Sequence, residues 1–269
     1  MENFRCAVFQ MCSGPNKAEN LAATHGAAQD AARAGAQLLA LPEVFSYRDH
    51  FSRERAQAEP IPGPTTDQLA EIAQETGLWI SAGSLLEDVG DEVRVANTSI
   101  LIAPNGAISA QYRKIHLFDI EIPGRVEAQE SAFRIPGHET VVAPTPLARF
   151  GLSVCYDLRF PELYRAQASA GAEVLLVPAA FTATTGDAHW EVLVRARAIE
   201  NQCFVIAAGQ YGESPHGHRC HGHSLVVDPW GRVLASAGAA EELLVADLDA
   251  STLVKFRARL PVLEHRRLP

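Results

Sequence analysis

Apolar positions in this chain fall in short dense runs broken by glycine, proline and polar clusters, with longer alanine-rich amphipathic stretches between them. Residues 4–11 (FRCAVFQM) read as a strand, and residues 16–34, alanine-rich with one polar face, as a helix that Gly35 ends. Residues 37–41 are too few for a helix between Gly35 and Pro42, so they predict a buried strand. A polar loop over 45–64 carries Pro60, Pro62 and Pro64, and a helix over 66–76 follows with Thr65 or Thr66 as its cap. Strands are expected at 78–86 and 94–103, and a Pro104-Asn105-Gly106 turn leads to a third at 107–112. Residues 111–137 lack helical periodicity and read as a long structured loop, a length that favours function. At 151–164 (GLSVCYDLRFPELY) Leu152 and Val154 lead into Cys155, and Pro161 opens a helix, which predicts strand, cysteine at its carboxyl end, then helix.

The pattern occurs twice. AGAQLLALPEVF at 34–45 matches AGAEVLLVPAAF at 170–181, and TSILIAPNGAISA at 98–110 matches HSLVVDPWGRVLA at 223–235. FRCAVF at 4–9 lies loosely over FGLSVC at 150–155, which sets Cys155 against Phe9. An internal duplication accounts for this. Each half packs helices on one sheet face and turns the other face to its twin. The expected fold is α/β, a four-layer α-β-β-α sandwich of two similar halves, with residues 1–269 as one domain.

Composition narrows the class. With 47% hydrophobic residues and a formal charge of -9, the 269-residue chain suits a globular protein and argues against nucleic acid or an anionic membrane as partner. No apolar run spans a bilayer, and the first residues read as a strand rather than a leader. Five cysteines without framework spacing point to a reducing, cytoplasmic setting.

The repeat also acts as an internal control for chemistry. Glu43 stands opposite Ala179, so the fold itself does not need an acid at that turn, and an acid there is costly to desolvate. Cys155 sits where α/β sheets bind ligands, beyond a strand's carboxyl end, and a nearby helix amino terminus would favour its thiolate. Lys114 and Glu130 are the notable charges of the long loop, although a lysine beyond a strand is ordinarily solvated. Glu43 in LPEVF, Lys114 in YRKIHLFD and Cys155 in VCYDLRFPELY together resemble the Glu, Lys, Cys triad of the nitrilase superfamily of carbon-nitrogen hydrolases, over essentially the whole chain. Glu130 falls at that family's supporting second glutamate.

The resemblance implies an amidase that works through a cysteine thioester, without metal or organic cofactor. Cys155 would attack, with Glu43 as base if burial raises its pKa, and Lys114 with the Tyr156 backbone N–H would receive the oxyanion. Arg159 is placed to bind a substrate carboxylate, and Phe181 and Thr185 to line the pocket. PAAFTATTGDAHWEVLVRARAIENQ and VVDPWG are similar to the deaminated glutathione amidase branch more than to the omega-amidases. The partner is then a small-molecule amide, and family habit implies a homodimer or larger homo-oligomer through residues 161–169 and the carboxyl-terminal segment. Other readings are an omega-amidase acting on 2-oxoglutaramate or another amidase of that superfamily, a Cys-His hydrolase using His116 or His189, a metal held by the His216 to His223 loop with Cys220, a true nitrilase, and a catalytically silent binding protein.

Overall fold

A computed structural model describes residues 1–268 apart from 125, 214–216 and 218. In the first half, strands Phe4–Gln10, Leu38–Ala40 and Trp79–Ser81 run parallel, and Val95–Ile102 pairs antiparallel with the last of them. The second half repeats this with Arg149–Leu152, Val174–Leu176 and Phe204–Ala207 parallel and Leu225–Val227 antiparallel. Helices Lys17–Arg33 and Pro64–Thr76 connect the parallel strands of the first sheet, and Pro161–Ser169 and Ala183–Asn201 those of the second.

Side-chain alternation along the strands assigns the layers. Ala7 and Phe9 pack with Leu21, Ala28, Leu69 and Ile72 of the two helices. Phe4, Cys6 and Val8 point the other way, into a core shared with Phe150, Leu152 and Val174 of the second sheet. There Phe4 meets Phe150 edge to face with ring centroids 6.1 Å apart. That core continues through the second sheet to Trp190, Val194 and Ala198 of its covering helix. Because Val95–Ile102 is covered on both faces, all eight of its residues are buried, and these include Asn97, Thr98 and Ser99.

The halves also exchange edges. Glu242–Leu248, at the end of the second half, lies antiparallel beside Phe4–Gln10, while Val142–Pro144, at the end of the first, lies antiparallel beside Arg149–Leu152.

Several sequence expectations shift. The register pairs Cys6 with Leu38 and Phe150 with Val174, so Cys6 corresponds to Phe150 and Cys155 to Met11; the overlay that set Cys155 against Phe9 is two residues out. Residues 78–86 form two strands, Trp79–Ser81 and Leu85–Glu87, because Gly83 turns the chain at φ 48°. The helix expected at 66–76 begins at Pro64 with Gly63 as cap, and Thr66 Oγ1 accepts the Gly63 N–H at 2.8 Å from inside the first turn. The long loop holds a hairpin, Asp119–Ile122 with Val126–Gln129, and the one-turn 3-10 helix Glu130–Ala132. No helix among the described residues is long and apolar enough to cross a membrane.

Candidate active site

Glu43 follows Leu38–Ala40 by three residues and is 5% exposed. Its turn is tight: the next residue, Val44, lies at φ 49°, and a Cβ on Gly83 would come 1.9 Å from the Pro42 carbonyl oxygen. A β-branched residue at positive φ is strained, and such strain clusters where a side chain must be aimed. Glu43 Oε1 accepts from Asn97 Nδ2 at 2.8 Å and from Lys114 Nζ at 3.1 Å. Oε2 accepts from the Ala180 N–H at 2.8 Å, and the charge of the carboxylate reaches the Cys155 thiol.

Lys114 follows Ile108–Arg113 and is fixed by its backbone, its N–H donating to the Asn97 carbonyl at 2.9 Å and its carbonyl accepting from Gly137 at 2.8 Å. A Cβ on Gly137 would lie 2.3 Å from the Arg113 carbonyl oxygen, so this crossing requires glycine. The buried Nζ also donates to Glu130 Oε2 at 2.8 Å and Oε1 at 3.1 Å, and Glu130 Oε2 in turn accepts from the Phe118 N–H at 2.6 Å. Burial opposes the charge on Lys114, but Glu130 and then Glu43 outweigh it and raise its pKa.

Cys155 begins the 3-10 turn Cys155–Arg159 at φ 50°, with its N–H donating to the Pro178 carbonyl at 2.8 Å. Helix Pro161–Ser169 starts only six residues later, so no helix amino terminus sits at the sulfur. Burial, followed by the Glu43 charge, raises the thiol well above its ordinary value instead. Glu43 also differs from expectation. Burial pushes its pKa up, but Lys114, the thiol and the Ala180 N–H together hold it below the ordinary carboxylate value. The resting pair at neutral pH is therefore carboxylate and thiol, a base beside an acid whose proton it can accept.

Asp157 fastens the Cys155 turn to the Lys114 segment. Fully buried, it accepts from the Val154 N–H at 2.8 Å, Tyr112 Oη at 2.7 Å and the His116 N–H at 3.0 Å, and its Oδ1 lies 2.7 Å from His116 Nδ1. His116 is thus committed to Asp157 and stacks on Phe160 at 3.7 Å, while His189 Nδ1 lies 3.1 Å from Arg159 Nη1. Both histidines are engaged elsewhere and the charge acting on the Cys155 thiol is that of Glu43, so neither histidine forms the pair a Cys-His hydrolase needs.

A carbon-nitrogen hydrolase model matches residues 5–258. The chain belongs to the carbon-nitrogen hydrolase family. This hydrolase is 44% identical to deaminated glutathione amidase of Rattus norvegicus, over 97% of this chain and 81% of the relative. To omega-amidase NIT2 of Mus musculus it is 39% identical, over 99% and 96%. The solved NitFhit protein of C. elegans superposes with a TM-score of 0.93 at 38% identity, covering 99% of this chain and 66% of that longer one. The chain is an amidase of the nitrilase superfamily.

The pocket of this hydrolase, about 700 Å³ with its open mouth, has Cys155 in its wall together with Glu43, Lys114, Glu130 and Tyr156. Arg159, Phe181 and Thr185 also line it. The half-buried Arg159 guanidinium lies 4.8 Å over the Phe181 ring and 5.8 Å from that of Tyr156, and no carboxylate is within ion-pair distance of it among the described residues. Thr185 Oγ1 is 3.0 Å from Thr182 Oγ1. Sequence reasoning missed Asn97, Asp157, Arg48 and the buried ion pair Glu54–Arg134, all at or beside the pocket. A polar triplet inside the apolar run VANTSILI was a signal for Asn97; the others carry none, since only the fold brings them here.

Of the suggested metal loop, His216 and His218 lie outside the described residues. His221 Nδ1 lies 3.1 Å from Asp187 Oδ1, Cys220 takes a bond from Arg48, and no cluster of three ligating side chains occurs among the described residues.

Proposed function

We propose that Cys155 is the nucleophile, Glu43 the general base and acid, Lys114 and the Tyr156 N–H the oxyanion donors, and Glu130 the group that holds Lys114 charged and aimed. The observation that carries this is the buried Glu43 carboxylate, bonded to Lys114 Nζ at 3.1 Å and lining one pocket with the Cys155 thiol that its charge reaches. Sγ attacks the amide carbonyl as Glu43 takes the thiol proton, and the C–S bond forms while the carbonyl oxygen becomes an oxyanion. The Cys155 N–H is already spent on Pro178, whereas the first N–H groups of a turn lack internal partners, which favours Tyr156 as second donor. Glu43 then protonates the nitrogen and the C–N bond breaks, leaving a thioester. Water, deprotonated by Glu43, attacks it, and the acid leaves as the thiol regains its proton.

Arg159, over the Phe181 ring and without a carboxylate partner among the described residues, suits a carboxylate in the acyl half of the substrate, with Thr185 completing that wall. The substrate we infer is deaminated glutathione, cleaved to 2-oxoglutarate and cysteinylglycine in metabolite repair. The 39% identity to an omega-amidase supports 2-oxoglutaramate as the second reading. Both share an acyl group and differ in the leaving amine. Release of 2-oxoglutarate from each, by the wild type and by Cys155→Ser, is the test: preference for deaminated glutathione, abolished by the substitution, is expected. Preference for 2-oxoglutaramate moves the protein to the second reading, and turnover undiminished in Cys155→Ser overturns the nucleophile.

The exchanged edge strands support one domain over residues 1–269, and five unpaired cysteines suit a cytoplasmic setting. A homodimer through Pro161–Ser169 would be checked by sedimentation.

A further inference from the structure

Arg48 is 4% exposed and lines the pocket, yet its recorded side-chain bonds are poor for a buried cation. Nη2 donates to the Cys220 sulfur at 3.2 Å and Nη1 to Gln210 Oε1 at 3.5 Å. Glu54, whose field reaches Arg48, is already joined to Arg134. A desolvated guanidinium is costly unless an anion compensates it, and its planar fork matches a carboxylate. The whole pocket repeats this imbalance. Four cations, Arg48, Lys114, Arg134 and Arg159, line it against three carboxylates, Glu43, Glu54 and Glu130, in a chain of formal charge -9. A locally positive cleft in an acidic protein gathers anions.

Position separates Arg48 from Arg159. Gln210, which accepts from Arg48, donates through Nε2 to the Glu43 carbonyl at 2.9 Å, so Arg48 stands on the Glu43 side of the cleft. Arg159 stands with Phe181, Tyr156 and His189. Glu43 is the group that protonates the departing nitrogen, so the leaving half of the substrate lies toward it. We propose that Arg48 binds a carboxylate carried by the leaving amine and thereby selects amides of amino acids or short peptides over primary amides. This rests on the catalytic roles given above and adds a second anionic subsite to the Arg159 one.

The test compares deaminated glutathione with its carboxyl-terminal amide, which differ only in the charge at the far end of the leaving half, and follows 2-oxoglutarate release. The wild type is expected to favour the charged form in kcat/KM by about 10- to 100-fold, the range of a charge-assisted bond to a buried group. Arg48→Gln brings that ratio close to 1 whatever its absolute rate, Arg48→Lys leaves it between, and Arg159→Gln lowers turnover of both forms while keeping it. A wild-type ratio near 1 overturns the inference without any variant, which matters if Arg48→Gln fails to fold. Loss of the ratio in Arg159→Gln instead of Arg48→Gln overturns it as well. Either outcome leaves Cys155-dependent release from 2-oxoglutaramate intact, so failure of this inference is distinguishable from failure of the amidase chemistry.

Discussion

The Ala180 N–H donates to Glu43 Oε2 at 2.8 Å, and the two residues belong to corresponding turns of the two halves. Glu43 matches Ala179 in the repeat, so the acid of one half is held by the backbone beside its own counterpart. Duplication thus supplies both the acid and, from the second copy, a donor that keeps it ionised and aimed.

Cys155→Ala should lose at least about 10³-fold in amide turnover, since the remaining groups can stabilise charge but cannot form the thioester. Mass spectrometry of the quenched wild type should find an acyl adduct on the 151–164 peptide and none in the variant. An adduct on Cys12, the exposed cysteine, would displace Cys155 from its role.

Lys114→Met removes the cation between Glu43 and Glu130. An expected loss of about 10²- to 10³-fold in kcat follows from one oxyanion donor, with destabilisation of about 3–5 kcal/mol from the uncompensated charge. Glu43, left to its burial without that cation, binds a proton more tightly folded than unfolded, so the variant should gain stability relative to wild type as pH falls from 7 to 5. Urea unfolding at both values checks this, and a pH-independent difference would contradict it.

Glu43 is held below its ordinary value, so the folded state binds fewer protons there than the unfolded chain. Its stabilising contribution is complete above the unfolded pKa of about 4.3 and is lost as pH falls through the lower folded value. For catalysis, with the thiol raised, kcat/KM should stay level from an acid limb below that range to beyond about pH 8.5, where an ordinary thiol titrates. A limb near pH 6.5 would implicate a histidine instead.

Gly83→Ala should impair both folding and turnover, because its Cβ would lie 1.9 Å from the Pro42 carbonyl oxygen at φ 48° and must displace the Glu43 turn. Gly90→Ala, at φ 79° with nothing within 4 Å, should cost only the backbone preference, about 1 kcal/mol. Thermal melts and kcat of the pair separate a displaced site from simple strain, and equal effects would argue against the Pro42 contact.

Much of this architecture follows from local rules that a linear sequence carries. Apolar runs bounded by Gly35, Pro42, Gly106 and Pro161 delimit elements because those residues restrict or free the backbone wherever they occur. The repeat announced two halves, and contrast within it drew attention to Glu43 against Ala179. Glu43 was legible from the repeat and Cys155 from its strand end, Lys114 and Glu130 only through the resemblance to the nitrilase superfamily, and the fold joins the three charged residues by hydrogen bonds with the Cys155 thiol in the field of Glu43. Tertiary structure alone decided what surrounds them. Asn97, Asp157 and Arg48 look like ordinary polar residues until strands from different parts of the chain are laid side by side. The sign of the Glu43 shift depends on whether burial or its three partners prevails, and that balance needs distances across 71 and 137 residues of sequence. The raised Cys155 thiol pKa likewise follows from its burial and from the Glu43 charge that the fold brings near it. Sequence specifies which groups are present and what each segment tends to form, whereas electrostatics falls off with distance through space, and only the folded chain sets those distances.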